Sequence, residues 1–444
     1  MTGDTRFEEF FKKNNKAIKL GQQQNSGEKS KRDAWKLIEE LKDKAEPFVL
    51  QRSIKEHLKD QLPPKEEYVI WVKPSDAIWK ATKKILESDD TEQAKISENR
   101  FCIFAVIQRL RMAAIHPFFA GQVTDANVKD FLNDDEGEVL GDEERTGKDF
   151  LKSSDILKDA PSIRVCKDLI VDLTLNGHKV LVFSQYRKPL DFLGYVLEHS
   201  NIAFYRIVGN TPQDKRNKYI KSFNNDSSKN IQVMLMTIGV GGLGLTLTGA
   251  DCVILLGASW NPMKDAQAVG RAFRISQTRP VKVYRLLMAS LIDEKVYGKQ
   301  VQKDALIREV QTETGGCLTR LFDDKELSKL LEIGDRHKCN ILDLFPHRVI
   351  GASEKLLCLN THPKVQGIMH HAALYQTFSN RFGGSNKRKN KRSLVGSDMQ
   401  NKGSKKVICI EEEAQSPVVV SRVQTSPSCR TVSESGGSDD SSSN

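Results

Sequence analysis

No Cys-x-x-Cys pair occurs anywhere in this chain. Its eight cysteines stand singly at 102, 166, 252, 317, 339, 358, 409 and 429. That spacing reads as reduced thiols of an intracellular protein and excludes a disulfide framework. No apolar run approaches the roughly 18–20 residues that a membrane span needs. The opening MTGDTRFEEFF lacks the apolar core of a signal peptide, so no membrane partner is expected. Also absent is GxxxxGK[ST], the loop that cradles β- and γ-phosphates with a lysine. No apolar strand run ends in an Asp-Glu pair suited to holding Mg²⁺ and positioning water. The acidic pairs present, Asp134-Asp135, Glu143-Glu144 and Asp323-Asp324, fall in polar or helical context.

What is present fits a globular core with a polar remainder: 39% hydrophobic and 28% charged residues. A net charge of +10 invites a polyanionic partner without identifying one. Residues 153–310 alternate short β-branched runs with helical patterns. The runs are KVLVFSQ (179–185), AFYRIVG (203–209), QVMLMT (232–237), CVILLG (252–257) and VKVYRLL (281–287). Near-continuous apolar strands between helices predict an α/β domain, its parallel sheet covered on both faces. Ligands of such sheets sit beyond the carboxyl ends of the strands.

Residues 1–120 read as mostly helical around one strand-like run, EYVIWV (67–72). A lone buried strand needs a sheet. It either joins the edge of the α/β domain or belongs to a sheet missing from the chain, and the second option is the expectation. Residues 121–152 read as a flexible acidic loop, 311–382 as a helical extension, and 383–444 as a disordered basic and Ser-rich tail.

Three groups of residues could carry chemistry. In DAQAVGRAFRISQ (265–277), helical spacing puts Gln267, Arg271 and Arg274 on one face. Two guanidiniums together can grip a transferring phosphoryl group, although basic residues at this spacing also occur on ordinary exposed helices. In TIGVGGLGLTLTGAD (237–251), Gly239, Gly241, Gly242, Gly244 and Gly249 let backbone N–H groups form an anion-binding concavity, or simply a tight turn. Ser184 and Gln185 after VLVF, and Trp260-Asn261-Pro262 after VILLGAS, would flank one crevice. Packing is the blander role for Trp260. His337, Cys339, His347, Cys358 and His362 fall within 26 residues, but only Cys358-x3-His362 matches a usual zinc spacing, so no metal site is expected.

Taken in order, KVLVFSQY, YRIVGNTPQDKR…FN, LMTIGVGGLGLTLTGAD, SWNP and DAQAVGRAFRISQTRPVKVYRL resemble motifs IV to VI of the Swi/Snf family of superfamily 2 ATPases. Weaker similarity extends through PFVLQRSIKEHLKDQLPPK (47–65) and RLRMAAIHP (109–117), which look like the end of the family's first lobe. DEKVYGKQVQKDALIREV with RLFDDKELSKLL resembles the Cockayne syndrome B/PICH branch. The resemblance implies a RecA-like second lobe, preceded by a helical remnant of the first. It implies an ATP-driven, nuclear translocase on double-stranded DNA, with Arg271 and Arg274 as fingers completing an ATP and Mg site. Gln267 and the loop of Gly242 and Gly244 would line that cleft. Ser184, Gln185, Thr237, Thr246 and Trp260 would lie along the DNA backbone. EYVIWV would be a first-lobe strand. The missing motifs I to III imply a chain inactive without a first lobe: a fragment, or a module that binds DNA and SUMO without ATP turnover. Four positions depart from the family pattern. Val208 stands for Asp, Ser276 for Gly, Gly257-Ala258 for Asp-Pro, and Gln51 for Arg.

In the tail, Lys387 to Arg392 (KRKNKR) reads as a nuclear import signal or DNA-grazing arm. Val407, Ile408 and Ile410, followed by Glu411 to Glu413, resemble a SUMO-interacting motif that binds by adding a strand to a sheet edge. Ser416-Pro417 and Ser426-Pro427 are candidate phosphorylation sites.

Overall fold

The computed structural model describes residues 13–14, 17, 27–45, 57–58, 61–97, 100–121, 157–225, 231–241, 244–311, 329–343 and 362–371. Gly242 and the tail residues Val407, Ile408 and Ile410 lie outside them. A seven-stranded sheet runs through the centre in the order β3-β4-β2-β5-β6-β1-β7. Its strands are β1 (Lys65–Val72), β2 (Val180–Ser184), β3 (Phe204–Ile207), β4 (Val233–Thr237), β5 (Cys252–Leu256), β6 (Val281–Met288) and β7 (Val365–His370). All pairings are parallel except β1 with β7. The central strands VLVFS and VMLMT are buried at every position, as a sheet covered on both faces requires.

The helices are α1 (Glu28–Ala45), α2 (Asp76–Leu86), α3 (Asp89–Ser97), α4 (Arg100–Ile115), α5 (Pro117–Ala120), α6 (Pro161–Leu175), α7 (Arg187–His199), α8 (Gln213–Asn224), α9 (Ile238–Gly241), α10 (Pro262–Val269), α11 (Ile292–Gln311) and α12 (Asn340–Asp343). One face of the sheet, including Tyr284 and Leu286, packs with α6 and α7. The other face carries two apolar clusters. One centres on Leu181, Phe183, Met234 and Val283, the other on Val69, Trp71, Leu287 and Met369. Helix α4 feeds apolar residues to both faces: Ala105 and Met112 to one, Ile107 and Leu110 to the other.

Strand β1 corrects the expectation that EYVIWV lacks its sheet. It runs parallel to β6 from Lys65↔Val281 to Val72↔Met288. On its other side β7 pairs antiparallel, Tyr68↔His370 to Val72↔Val365. The physical reason is the length of β6. Its eight residues extend past the five of β5 and offer a full ladder to an equally long partner. The strand is interior, and the Trp71 indole donates to Met369 Sδ at 3.1 Å.

Arg285 lies on the face between the two apolar clusters. Its guanidinium bonds Asp265 Oδ2 on α10 and Glu67 Oε2 on β1, each at 3.1 Å. Asp265 is fully buried and also accepts from Gln300 Nε2 at 2.8 Å. Burial alone would raise the Glu67 carboxyl. Arg285, then His371 and Lys65, outweigh it and hold the group well below the usual range. Because the folded value is depressed, Glu67 stabilises the protein above the ordinary glutamate range, and that contribution is lost as pH falls through the folded value. Arg285→Met should cost about 3–5 kcal/mol, since it strands two carboxylates. Glu67→Gln should lower the unfolding temperature at about pH 7, by a margin that narrows steadily as pH falls below the ordinary glutamate range. Thermal unfolding across that range checks both.

Candidate functional site

The loops beyond the carboxyl ends of β2, β4 and β5 converge with the segment after α10. Ser184 ends β2, and its Oγ accepts from Tyr186 N at 3.3 Å. Thr237 ends β4 and is buried. Gln185 is half-buried, and its Oε1 accepts from Arg111 Nη1 at 2.9 Å. Trp260 meets Phe104 edge-on at 5.8 Å and lies 5.3 Å from the Arg111 guanidinium. Its packing role is therefore realised, with half-exposure left over.

The glycine loop after α9 is held from two sides. Asn224, closing α8, donates to Thr246 O at 2.8 Å and accepts from Gly249 N at 3.1 Å. A Cβ on Gly249 would lie 2.8 Å from Asn224 Cα, so only glycine fits. Gly244 has φ +73, the left-handed region. From the other side, Leu247 N donates to Arg271 O at 3.0 Å.

The expected single helix through Gln267, Arg271 and Arg274 is not what forms. Helix α10 stops at Val269, capped by Gly270. Beyond it one helical bond remains, Phe273 N to Val269 O at 3.0 Å, among three-residue turns such as Arg271 N to Ala268 O at 3.1 Å and Gln277 N to Arg274 O at 2.9 Å. The cause is a competing set of partners. Buried Gln277 donates Nε2 to the carbonyls of Thr248, Ala250 and Ala272. Its Oε1 accepts from Thr278 N and Arg279 N, both at 3.0 Å. This clamp draws the segment onto the glycine loop and costs the helix its continuation.

The two arginines nevertheless stay together. Arg274 Nη1 donates to Thr246 Oγ1 at 2.9 Å and reaches Gly244 O at 3.3 Å. Arg271 is 8% exposed. Burial, and then the charge of Arg274, press its guanidinium below its ordinary value. An anion between them relieves that repulsion. Gln267 is exposed on α10, upstream of the turn.

Sequence reasoning missed two organisers of this region. One is Gln277, whose run RISQ was visible. The other is Arg111 in RLRMAAIHP, read only as family similarity; its partners lie far along the chain. At Val208, where the family carries Asp, Arg216 reaches the backbone carbonyls of Val208, Gly209 and Thr211.

Among the described residues, His178, Asp251 and Cys252 bring metal-type ligand atoms within 4.8 Å of one another. Asp251 is already engaged by His178 Nδ1 at 2.7 Å and Lys179 N at 3.1 Å, with Arg279 at 3.5 Å. Burial pushes the Cys252 thiol up, away from the thiolate a metal needs. Of the His and Cys residues between 337 and 362, Cys339 is buried in an apolar cluster, and His362 Nε2 lies 3.1 Å from Asp168 Oδ2. His347 and Cys358 lie outside the described residues.

Comparison with known proteins gives consistent results. The family model "Helicase conserved C-terminal domain" matches residues 162–276. The zebrafish (Danio rerio) "DNA excision repair protein ERCC-6-like" is 38% identical over 42% of this chain and 13% of its own length. The yeast (Saccharomyces cerevisiae) "ISWI chromatin-remodeling complex ATPase ISW1" is 32% identical over 63% of this chain and 23% of its own. The human (Homo sapiens) "DNA excision repair protein ERCC-6" is 33% identical over 66% and 18%. The chain thus spans less than a quarter of the length of these relatives.

Ser276 adopts φ +87, in the left-handed region, at the position where the resembling family carries glycine. A β-carbon there costs roughly 1–2 kcal/mol. Ser276→Gly should therefore stabilise the protein by roughly 1 kcal/mol, after the entropy glycine adds to the unfolded chain. A higher denaturant midpoint at unchanged slope is the expected reading.

Proposed function

The chain belongs to the Swi/Snf-type superfamily 2 ATPases, related to the Cockayne syndrome B branch, and from that premise we propose that it supplies the second lobe of a DNA-dependent motor. The observation that carries this reading is the pairing of Arg271 and Arg274 beside the Gly244–Thr246 loop. Two guanidiniums next to exposed backbone fit the γ-phosphate end of a nucleotide, reached from across an inter-lobe cleft. A lysine-bearing phosphate loop and an acidic pair for Mg²⁺ would come from the first lobe. ATP with Mg supplies the phosphoryl group whose transfer drives the motor. In this lobe Arg271 and Arg274 would neutralise charge on the phosphate, while Gln267 and the loop at Gly244 would line the cleft. Arg274, which donates to Thr246 Oγ1, would be the side chain to grip a phosphate oxygen.

Gln185, Thr246 and Trp260 would face the backbone of a double-stranded DNA, with Ser184 and Thr237 buried at the strand ends of the same track. Hydroxyls, an amide and an indole at strand ends suit phosphate oxygens and sugars, which carry no base information. The role implies the nucleus, with the Lys387–Arg392 run serving import.

A second reading is a nuclear module that binds DNA and SUMO without ATP turnover. The β-branched Val407, Ile408 and Ile410 with Glu411 to Glu413 favour it.

The isolated chain should hydrolyse ATP no faster than its Arg271→Ala, Arg274→Ala double variant. Joined to a family first lobe it should gain DNA-stimulated turnover, from which Arg274→Ala removes about 10³-fold or more in kcat. Turnover by the pure isolated chain that the substitutions abolish contradicts the reading. Duplex binding should be indifferent to sequence and fall steeply with salt, because phosphate contacts release counterions. A plot of log affinity against log salt checks this, and a flat line would exclude a backbone track. A peptide of residues 402–416 should bind SUMO at about micromolar affinity or weaker, and Ile408→Ala with Ile410→Ala should abolish its chemical-shift changes.

A further inference from the structure

We propose that Arg111 is a positioning residue for the DNA track, setting the orientation of Gln185 and Trp260 without touching DNA itself. The inference rests on the reading of those two side chains as backbone contacts. Arg111 is only 4% exposed, on the buried side of α4. Its Nη1 donates to Gln185 Oε1 at 2.9 Å and to Tyr186 Oη at 2.8 Å, and its Nη2 donates to the Ala258 carbonyl. Its guanidinium carbon lies 5.3 Å from the Trp260 ring and 5.7 Å from that of Tyr186. One planar fork therefore fixes the loops that follow β2 and β5, two strands paired side by side.

The chemistry of the Gln185 contact is directional. Arginine only donates, so the atom it meets must be the amide oxygen. The Nε2 donors of Gln185 then occupy the other end of the amide, and donors are what a phosphate oxygen needs. Without Arg111 the amide is free to turn, presenting acceptor and donor ends alike. The arginine is itself fixed from behind. Gln108, three residues earlier on the same helix face, accepts from Tyr186 Oη at 2.9 Å. Asp293 and Arg111 line one small cavity of about 40 Å³ behind the strand ends, where burial pushes the Asp293 carboxyl up and the arginine's charge opposes that shift. Lysine cannot replace this arrangement, since a point charge on a flexible stem lacks the planar fork.

The test uses the full chain and a fluorescein-labelled 20-base-pair DNA duplex, read by anisotropy. Gln185→Ala with Trp260→Ala should weaken binding, which tests the track. Arg111→Lys should weaken it about fivefold, and adding Arg111→Lys to the double variant should cost no further affinity, because coupled residues are not additive. A wild-type affinity for Arg111→Lys, or an additive loss in the triple variant, overturns the inference and leaves the track standing. A wild-type affinity for the Gln185, Trp260 double variant overturns the track, and the inference with it. Leu173→Ala, in the core away from these loops, controls for stability. An equal loss of affinity there would mean general destabilisation and would also overturn the inference. Gln185→Glu is independent of any change at Arg111. A carboxylate keeps an acceptor for the arginine and removes the donors, so the unfolding temperature should rise while DNA affinity falls. A temperature that does not rise counts against the contact.

Discussion

A charge inside the sheet's covering layer has to be met wherever it lies, and Arg285 imposes that condition on three distant segments. It sits between two apolar clusters that would otherwise merge into one. Its partners come from β1 and α10, and Gln300 on α11 reaches the same carboxylate. Hydrophobic burial would hold these elements together in several registers, because it has no direction. A guanidinium between two carboxylates has direction. Sliding β1 by one residue would turn Glu67 to the opposite face and leave the cation unpaired. The network thus fixes register more than it adds net stability, which buried ion pairs supply only weakly.

The same logic governs the site. Its parts belong to separate runs of sequence, and each is located by a polar side chain reaching for backbone. Gln277 gathers carbonyls from the glycine loop and from the turn after α10. Asn224 holds that loop from below. Arg111 joins the loops after β2 and β5. None of these residues faces a ligand in the proposed mechanism, yet each decides where a ligand-facing residue stands. Gln277 holds the turn that carries the arginine pair against the glycine loop, where Arg274 reaches Thr246.

The parallel core was legible because its strands are apolar at consecutive positions and lie between helices of ordinary length. The runs at 179–185, 232–237 and 252–257 became β2, β4 and β5 with ends shifted by a residue or two. Pairing between distant segments was not legible. Nothing local to EYVIWV says that its ladder lies more than 200 residues downstream. Strand β7 was missed for a different reason: Gly367 interrupts it, as glycine in a strand usually argues against one. A Cβ there would stand 2.9 Å from Leu342 Cδ1 on α12, so a larger residue would have to push that side chain aside. The early end of α10 was hidden because its cause, Gln277, acts through partners in another loop.

The place of β1 in the sheet sets an order of events during synthesis. The strand leaves the ribosome well before its ladder partners, carrying Val69, Ile70, Trp71 and Val72, all buried in the finished fold. Its parallel neighbour follows more than 200 residues later, and Met369, which receives the Trp71 indole, lies 298 positions away. Such long-range pairing makes folding slow, and an unpaired apolar strand is open to other chains while it waits. Packing of Ile107 and Leu110 on α4 against Val69 and Trp71 can cover one face of β1 before β6 and β7 have emerged.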